Sequence, residues 1–378
     1  MPGPRGGRGR DRAMSDPMDA PTIAPRSGVD PAFWRGRRVL VTGHSGFKGA
    51  WLVLWLRALG AEVTGFSGPA PSGPSLYELA RVGEDVEGIE GDICDAEAVA
   101  NAVAASAPEV VVHMAAQALV RRSFQAPRET FEANTMGTVN LLDGVRRNPG
   151  TVRAVVVVTT DKCYENREWE WGYREDEPMG GHDPYAASKG CAELVTSAYR
   201  SSFFSAPDGP RVATARAGNV IGGGDWGEDR LVPDIMRAAL AGEQARVRNP
   251  NSIRPWQHVL NPLSGYLLLA QSLHASPDCA AGWNFGPLEQ DAQPVGWLVE
   301  RFAELWPGEL HWALDDGPHP HEARYLKLDS SRARMRLGWR PRVDLQQALA
   351  SIVEWYGALR DGADMRAVTV DQIERLSA

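Results

Sequence analysis

The chain has 378 residues, 43% of them hydrophobic and 23% charged, enough to bury a large core and to build two lobes. A net charge of −8 argues against nucleic acid as the main partner, and no apolar run reaches membrane length, the candidate near residues 50–59 being interrupted by Arg57. Four cysteines (Cys94, Cys163, Cys191, Cys279) show neither C-x-x-C pairing nor metal-ligand spacing, so reduced thiols of a cytoplasmic protein are expected, and no metal.

Residues 1–32 are mostly Gly, Pro, Arg and Asp with little to bury. They read as a disordered extension without the apolar centre of a signal peptide, the folded chain beginning near Phe33. RRVLVTGHSGFKG then gives a short strand, the triplet Gly43, Gly46 and Gly49, and a helix rich in Trp and Leu. Such glycines permit a tight turn and close backbone approach to a pyrophosphate at the helix N-terminus. With the next strand at AEVTGFS, this is a dinucleotide-binding βαβ unit. Phe66-Ser67 stands where an acid usually holds the adenosine ribose, so the motif does not separate NAD from NADP.

A weak strand follows at VEGIEGDICD, where Asp92 is a candidate for the adenine side. EVVVHMAAQALVRRS is a strand ending in Ala115 and Ala116, small enough for a cofactor to lie against the backbone. FQAPRETFEANTMGTVNLLDGVRR reads as one helix containing Asn134, and AVVVVTT as a fully buried parallel strand. The polar run Thr160, Asp161, Lys162 falls at that strand's carboxyl end, where open α/β sheets bind ligands. Tyr185 and Lys189 lie four residues apart on a helix and share a face. An ammonium beside a phenol favours the phenolate, so Tyr185 is a candidate general base with a lowered pKa. Of forty basic residues only Lys48, Lys162, Lys189 and Lys327 are lysine, and three of these fall inside the motifs.

PRVATARAGNVIGGGDW is a further strand and glycine-rich loop, after which the alternation fails. Arg254 before Pro-Trp suits either a rigid guanidinium for a phosphate or one stacked on Trp256. GWNFGP reads as a late strand, LVERFAELW as an amphipathic helix, and the remainder as short helices and loops. The expected fold is α/β: a Rossmann doubly wound parallel sheet over 33–215, with a return segment near 255–290. A smaller C-terminal α/β lobe takes 216–254 and 291–378.

GHSGFKG, HMAAQALVR, TTDKCYENREWEWGYRE, DPYAASKGCAEL, ARAGNVIGGGDW, RPWQHV and HEARYLKLD together resemble the extended short-chain dehydrogenase/reductase superfamily. Within it they are most similar to the 4,6-dehydratases acting on CDP-glucose, from about Phe33 to about Leu345. The Asp161-Lys162 pair is specific, since relatives acting on dTDP- or GDP-sugars usually carry Asp-Glu. The resemblance implies a tightly held NAD, regenerated in each turnover, and a homodimer or homotetramer. It implies Tyr185 as base at the C4 hydroxyl, aided by Lys189 and Thr160, Asp161 as the acid at the C6 hydroxyl, and Lys162 as the C5 base. Lys162 as a mere charge partner of Asp161 stays open. By the same resemblance Gly43, Ser45, Gly46, Phe47 and Lys48 wrap the pyrophosphate. Asp92 and Ile93 meet the adenine, and Ala115, Ala116, Tyr185 and Lys189 line the cofactor. Gln117, Arg121, Asn219, Arg230, Arg254 and His258 are candidates for the nucleotide sugar. A C4 epimerase of the same fold is the rival reading. It needs no elimination pair, so Asp161 and Lys162 weigh against it.

Overall fold

The structure, a computed structural model, describes residues 28–70, 73–317 and 325–377. Seven parallel strands form its sheet: β1 (Arg38–Thr42), β2 (Glu62–Ser67), β3 (Glu87–Glu90), β4 (Val110–His113), β5 (Ala154–Val158), β6 (Arg211–Arg216) and β7 (Gly282–Asn284). The main helices are α1 (Phe47–Ala58), α2 (Ala96–Ser106), α3 (Gly137–Arg147), α4 (Pro184–Ser202), α5 (Leu231–Ala241), α6 (Leu260–Ala275), α7 (Val295–Leu305), α8 (Leu345–Arg360) and α9 (Met365–Ser377).

Successive strand side chains point to opposite faces, and the central strands are apolar on both. Val39 and Val41 of β1 therefore join one core with Trp51 and Leu52 of α1 and Leu267 of α6. Leu40, between them, joins a second core with Val99 and Val103 of α2 and Leu141 and Val145 of α3. An all-apolar strand such as AVVVV is stable only with helices on both sides. The order β7-β6-β5-β4-β1-β2-β3 means that the chain starts mid-sheet, runs outward to β3, then crosses back to β4. The crevice between the carboxyl ends of β1 and β4 is the topological switch point, where this architecture binds ligands.

Several sequence expectations need correction. Of the expected N-terminal extension, residues 1–27 lie outside the described residues, but its last residues are structured. The Asp30 side chain caps a helical turn at Pro31–Trp34, and both Asp30 N (3.0 Å) and Trp34 Nε1 (2.8 Å) donate to Gln271 Oε1. The single helix expected from Phe124 is broken. Turns at Val120–Gln125 and Pro127–Phe131 meet at Ala126, because Pro127 has no amide to continue the ladder. A wide i→i+5 turn at Glu132–Met136 then leads into α3. The chain's end is not short helices either. α8 opens with an Asp344/Gln347 capping box, and α9 is tied back to it by Trp355 Nε1 to Thr369 Oγ1 (2.9 Å) and Gln372 Nε2 to Ser351 O (2.9 Å). Trp355, Met365 and Ile373 share the core of α1.

One ion pair ties the layers together. Glu193 of α4 accepts from Thr159 (2.5 Å), Thr214 (2.6 Å) and both Nε (2.9 Å) and Nη2 (2.8 Å) of Arg216, all of them buried. Arg216 Nη1 also donates to the Tyr164 hydroxyl (2.5 Å), which donates to Asn284 Oδ1 (2.7 Å). The pair holds Glu193 below the usual carboxylate range despite its burial. Arg216→Met leaves the carboxylate buried and unpaired. It is expected to cost about 3–5 kcal/mol in chemical denaturation, with part recovered in Arg216→Met/Glu193→Gln.

Candidate active site at the carboxyl ends of β1, β4 and β5

The strand β5 ends in Thr159-Thr160, and the chain turns at once into a single 3₁₀ turn, Asp161–Cys163. Thr160 shapes this turn: its hydroxyl oxygen accepts from Lys162 N (3.3 Å) while its hydroxyl donates to Asp161 Oδ1 (3.0 Å). Asp161 is 1% exposed, and its Oδ2 has no partner among the described residues. Burial, opposed by Lys162, Thr160 and Arg254, raises its pKa, as a group that donates a proton requires. Gly218 makes the room, since a Cβ there would overlap the Asp161 carboxyl.

Opposite stands α4, capped by Asp183, whose side chain accepts from Ala186 N (2.8 Å). The structure brings Tyr185 to the Thr160–Asp161 turn, but not in the electrostatic state expected. Burial pushes the phenol up to about 12, with Asp161 and Asp183 adding to it and the hydrogen-bonding Thr160 hydroxyl and Arg230 opposing it. Lys189 does not offset this, because its ammonium donates to Val158 O (3.2 Å). Burial draws Lys189 itself down to about 8 against the attraction of Glu193.

Lys48, expected at the pyrophosphate, instead turns its ammonium into this cluster, 6.0 Å from the ring centre of Tyr266. Burial, then Lys189 and Arg230, pull it down to about 7, and Asp161 and Asp225 oppose them. Tyr266 was not singled out by sequence. It is fully buried, its hydroxyl has no partner among the described residues, and it feels the charges of Tyr185 and Asp161. Nothing in YLLLA distinguishes it from a core tyrosine. Glu193 was legible, standing one turn beyond Lys189 on the same face.

The glycine loop fits a dinucleotide. Gly43 has φ +74°, and a Cβ there would sit 2.7 Å from Ala115 N. A Cβ on Gly49 would collide with the Gly43 carbonyl oxygen. α1 starts at Gly46 without a side-chain cap, leaving the first-turn amides of Phe47, Lys48 and Gly49 for an anion. Ser45 Oγ lies 3.0 Å from Ser67 Oγ, at the position where the acid is missing. The amides of Met114 and Ala115 donate to Thr42 Oγ1 (3.1 and 3.2 Å), drawing β4's end to the loop. Ala116 follows, half-buried. Asp92 is exposed and accepts from Cys94 N (2.9 Å), while Ile93 is buried, its carbonyl held by Asn140 (2.9 Å).

The nucleotide-sugar candidates divide. Arg230 pairs with Asp225 (3.1 Å) and feels Tyr185; Arg254 feels Asp161. Arg121 pairs with Asp229 (3.2 Å). Asn219 takes a left-handed conformation (φ +47°), and its carbonyl accepts from Gln257 N (3.2 Å). Gln117 is occupied by its own loop, bonded to Leu119 and to Thr130 Oγ1 (2.9 Å). Asn134, in the wide turn, ties that loop to α4 through Gln117 O (3.0 Å) and Ser188 Oγ (2.9 Å). His258 is fully buried edge-to-face on Trp51, accepts from Leu260 N (3.3 Å) and is lowered to about 3 by burial. It belongs to the core, not to the polar cluster. In the run CYENREWEWGYRE, Tyr164 stacks on Tyr173 (5.2 Å), which stacks on Trp169 (5.4 Å). Lys327 bonds Glu289 (3.2 Å) beside the Tyr325 ring, while residues 321–324 of its motif lie outside the described residues.

Residues 40–352 match the family model described as GDP-mannose 4,6 dehydratase. The CDP-glucose 4,6-dehydratase of Salmonella typhimurium is 54% identical over 89% of this chain and 95% of its own length. The dTDP-glucose 4,6-dehydratase of Streptomyces griseus is 30% identical over 84% and 93%. The Bacillus anthracis dTDP-glucose 4,6-dehydratase, solved in complex with NAD, shares the fold with a TM-score of 0.72 at 21% identity, covering 88% of this chain and all of that one.

The shifted lysines make stability depend on pH. Lys48 and Lys189 bind protons less tightly folded, at about 7 and about 8, than at the ordinary 10.5. Through that window the unfolded chain holds more protons at these sites, so stability rises with pH; Cys94, Cys163, Cys279 and Tyr185, all shifted upward by burial, reverse the trend from about 9. The thermal midpoint of ligand-free protein is expected to climb from pH 7 to about 9, and Lys48→Met to flatten the lower part of that climb.

Proposed function

The chain belongs to the GDP-mannose 4,6 dehydratase family, and from that membership we propose that it is a hydro-lyase converting CDP-D-glucose to CDP-4-dehydro-6-deoxy-D-glucose. The observation that carries this reading is the buried Asp161 carboxyl, one oxygen unpartnered, beside Tyr185 and followed by Lys162. An enzyme that only exchanged hydrogen at C4 would have no use for that second acid/base pair.

NAD, when bound, would supply the acceptor for the C4 hydrogen and the donor of hydride to C6, and its positive ring would favour a neighbouring phenolate. Gly43, Ser45, Gly46, Phe47 and the backbone of Lys48 would hold its pyrophosphate, with Ile93, Ala115 and Ala116 along it. The chain's own groups do the rest. Tyr185 removes the C4 hydroxyl proton, and Thr160 hydrogen-bonds that oxygen. The ketone so formed acidifies C5, from which Lys162 takes the proton. Asp161 protonates the C6 hydroxyl, which leaves as water. Arg230 and Arg254, whose charges reach Tyr185 and Asp161, would bind the substrate's diphosphate.

We read the exposed apolar side chains Phe124, Phe131, Met136, Leu194 and Phe203, from the helical stretch 120–136 and from α4 and its end, as the face on which two copies pair. Among the described residues no helix is long and apolar enough to cross a membrane. The free state of all four cysteines supports a cytoplasmic site.

Incubation with CDP-, dTDP- and GDP-glucose, read by NMR, is expected to yield the 4-keto-6-deoxy product from the CDP-sugar; its absence overturns the reading. Tyr185→Phe keeps fold and bound NAD while losing on the order of 10²–10⁴ in rate. Lys162→Met oxidises C4 but stalls before elimination, seen as a reduced-nicotinamide absorbance that rises and persists, with loss of C5 exchange in heavy water. Surviving exchange assigns Lys162 to steadying Asp161 instead.

A further inference from the structure

The proposed reaction leaves a proton imbalance inside the protein, and Thr160 touches both of the residues left out of balance. Lys162 gains a proton from C5 and returns it to C5 when C6 accepts hydride, so it finishes as it began. Tyr185 gains the C4 hydroxyl proton and never gives it back, because C4 remains a ketone in the product. Asp161 gives a proton to the departing water and receives none from the substrate. Each turnover therefore ends with one proton too many on Tyr185 and one too few on Asp161, and the next cannot begin until it moves.

Asp161 is 1% exposed, with Gly218 packed directly against its carboxyl. Between it and Tyr185 stands a single hydroxyl. Thr160 donates to Asp161 Oδ1 at 3.0 Å and is the hydrogen-bonding neighbour that favours the Tyr185 phenolate. A hydroxyl both donates and accepts. We propose that Thr160 is the relay that resets the enzyme: the Tyr185 O–H passes its proton to Thr160 Oγ1 as Thr160 passes its own to Asp161 Oδ1. Two O–H bonds break, two form, and no charge enters or leaves the site.

The direction of the hydrogen bonds fits both ends of this step. Before it, the phenol donates to Thr160 and Thr160 to the carboxylate, the arrangement present in the structure on the Asp161 side. After it, the carboxyl donates to Thr160 and Thr160 to the phenolate, which is the form of Tyr185 its contact with Thr160 stabilises. Thr160 is held for this by its place as cap of the 3₁₀ turn and by the neighbouring Thr159–Glu193 bond (2.5 Å). Lys48, whose ammonium also faces the cluster, has no hydrogen bond to either group among the described residues and would carry charge, not only a proton, between them.

The relay rests on the dehydratase reading, and Thr160→Val tests it. The variant keeps the shape but has no hydroxyl. Rapid mixing of NAD-loaded variant with CDP-glucose is expected to give a slowed burst of about one product per site, then turnover on the order of 10² slower than the burst. Thr160→Ser restores steady turnover. A Thr160 that only positions the sugar slows the first and later turnovers alike, and the absence of a burst overturns the relay. Should the variant complete no first turnover, proton release on adding NAD to stripped protein decides, with Tyr185→Phe as the blank. Wild type is then expected to show the tyrosinate absorbance with no proton released to an indicator dye, because Asp161 takes it. A full proton released by wild type sinks the proposal. This second measurement needs no sugar, so it separates failure of the relay from failure of the CDP-glucose reading.

Discussion

The Glu193 carboxylate is the tie on which the site depends. A buried charge is costly unless paired and hydrogen-bonded, and here four donors from two neighbouring strands converge on it. Thr159 fixes the end of β5, so Thr160 and Asp161 follow at a set place. Thr214 and Arg216 fix β6, whose continuation supplies Gly218. Glu193 itself is one turn from Lys189 on α4. Thus the helix bearing Tyr185 and the strand end bearing its partners are registered by one carboxylate, and Tyr164 extends the tie to the aromatic loop behind.

The switch point adds a second constraint. Gly43 approaches Ala115 so closely that no other residue fits, and this brings the ends of β1 and β4 together. The cofactor cradle and the acid/base cluster are then adjacent without a dedicated connector. Lys48 shows how tightly they adjoin: its backbone belongs to the cradle, while its ammonium lies among the reacting groups.

The strands, the glycine loop and the shared helix face of Tyr185 and Lys189 were legible because each rests on local rules: period, breaker residues, helical spacing. What was not legible depends on burial. Spacing places Lys189 near Tyr185 but cannot say that its ammonium turns to Val158 O, nor that desolvation outweighs attraction and raises the phenol. His258 looked like a ligand in RPWQHV, yet the fold spends its ring on Trp51. Pro127 was a visible break in the long helix, overlooked because the apolar spacing resumes beyond it. Tyr266 carries no local signal, since only the packing of α6 brings it under the cluster.

The two described ends of the chain are both sewn into the body. Trp34 is wholly enclosed and shares Gln271 Oε1 with the Asp30 amide. α9 is stitched to α8 through Thr369 and Gln372 and joined to the segment before β3 by the ion pairs Arg81–Asp364 (2.9 Å) and Arg366–Asp85 (2.5 Å). In mechanical terms, a machine that pulls on either terminus meets resistance from its first grip on the fold. From the amino side it must draw an indole out of the core. From the carboxyl side it must strip a helix whose removal uncovers Trp355 and the tryptophan-rich face of α1. Resistance to processive unfolding is therefore set at the two ends of the described residues, well away from the chemistry at the centre.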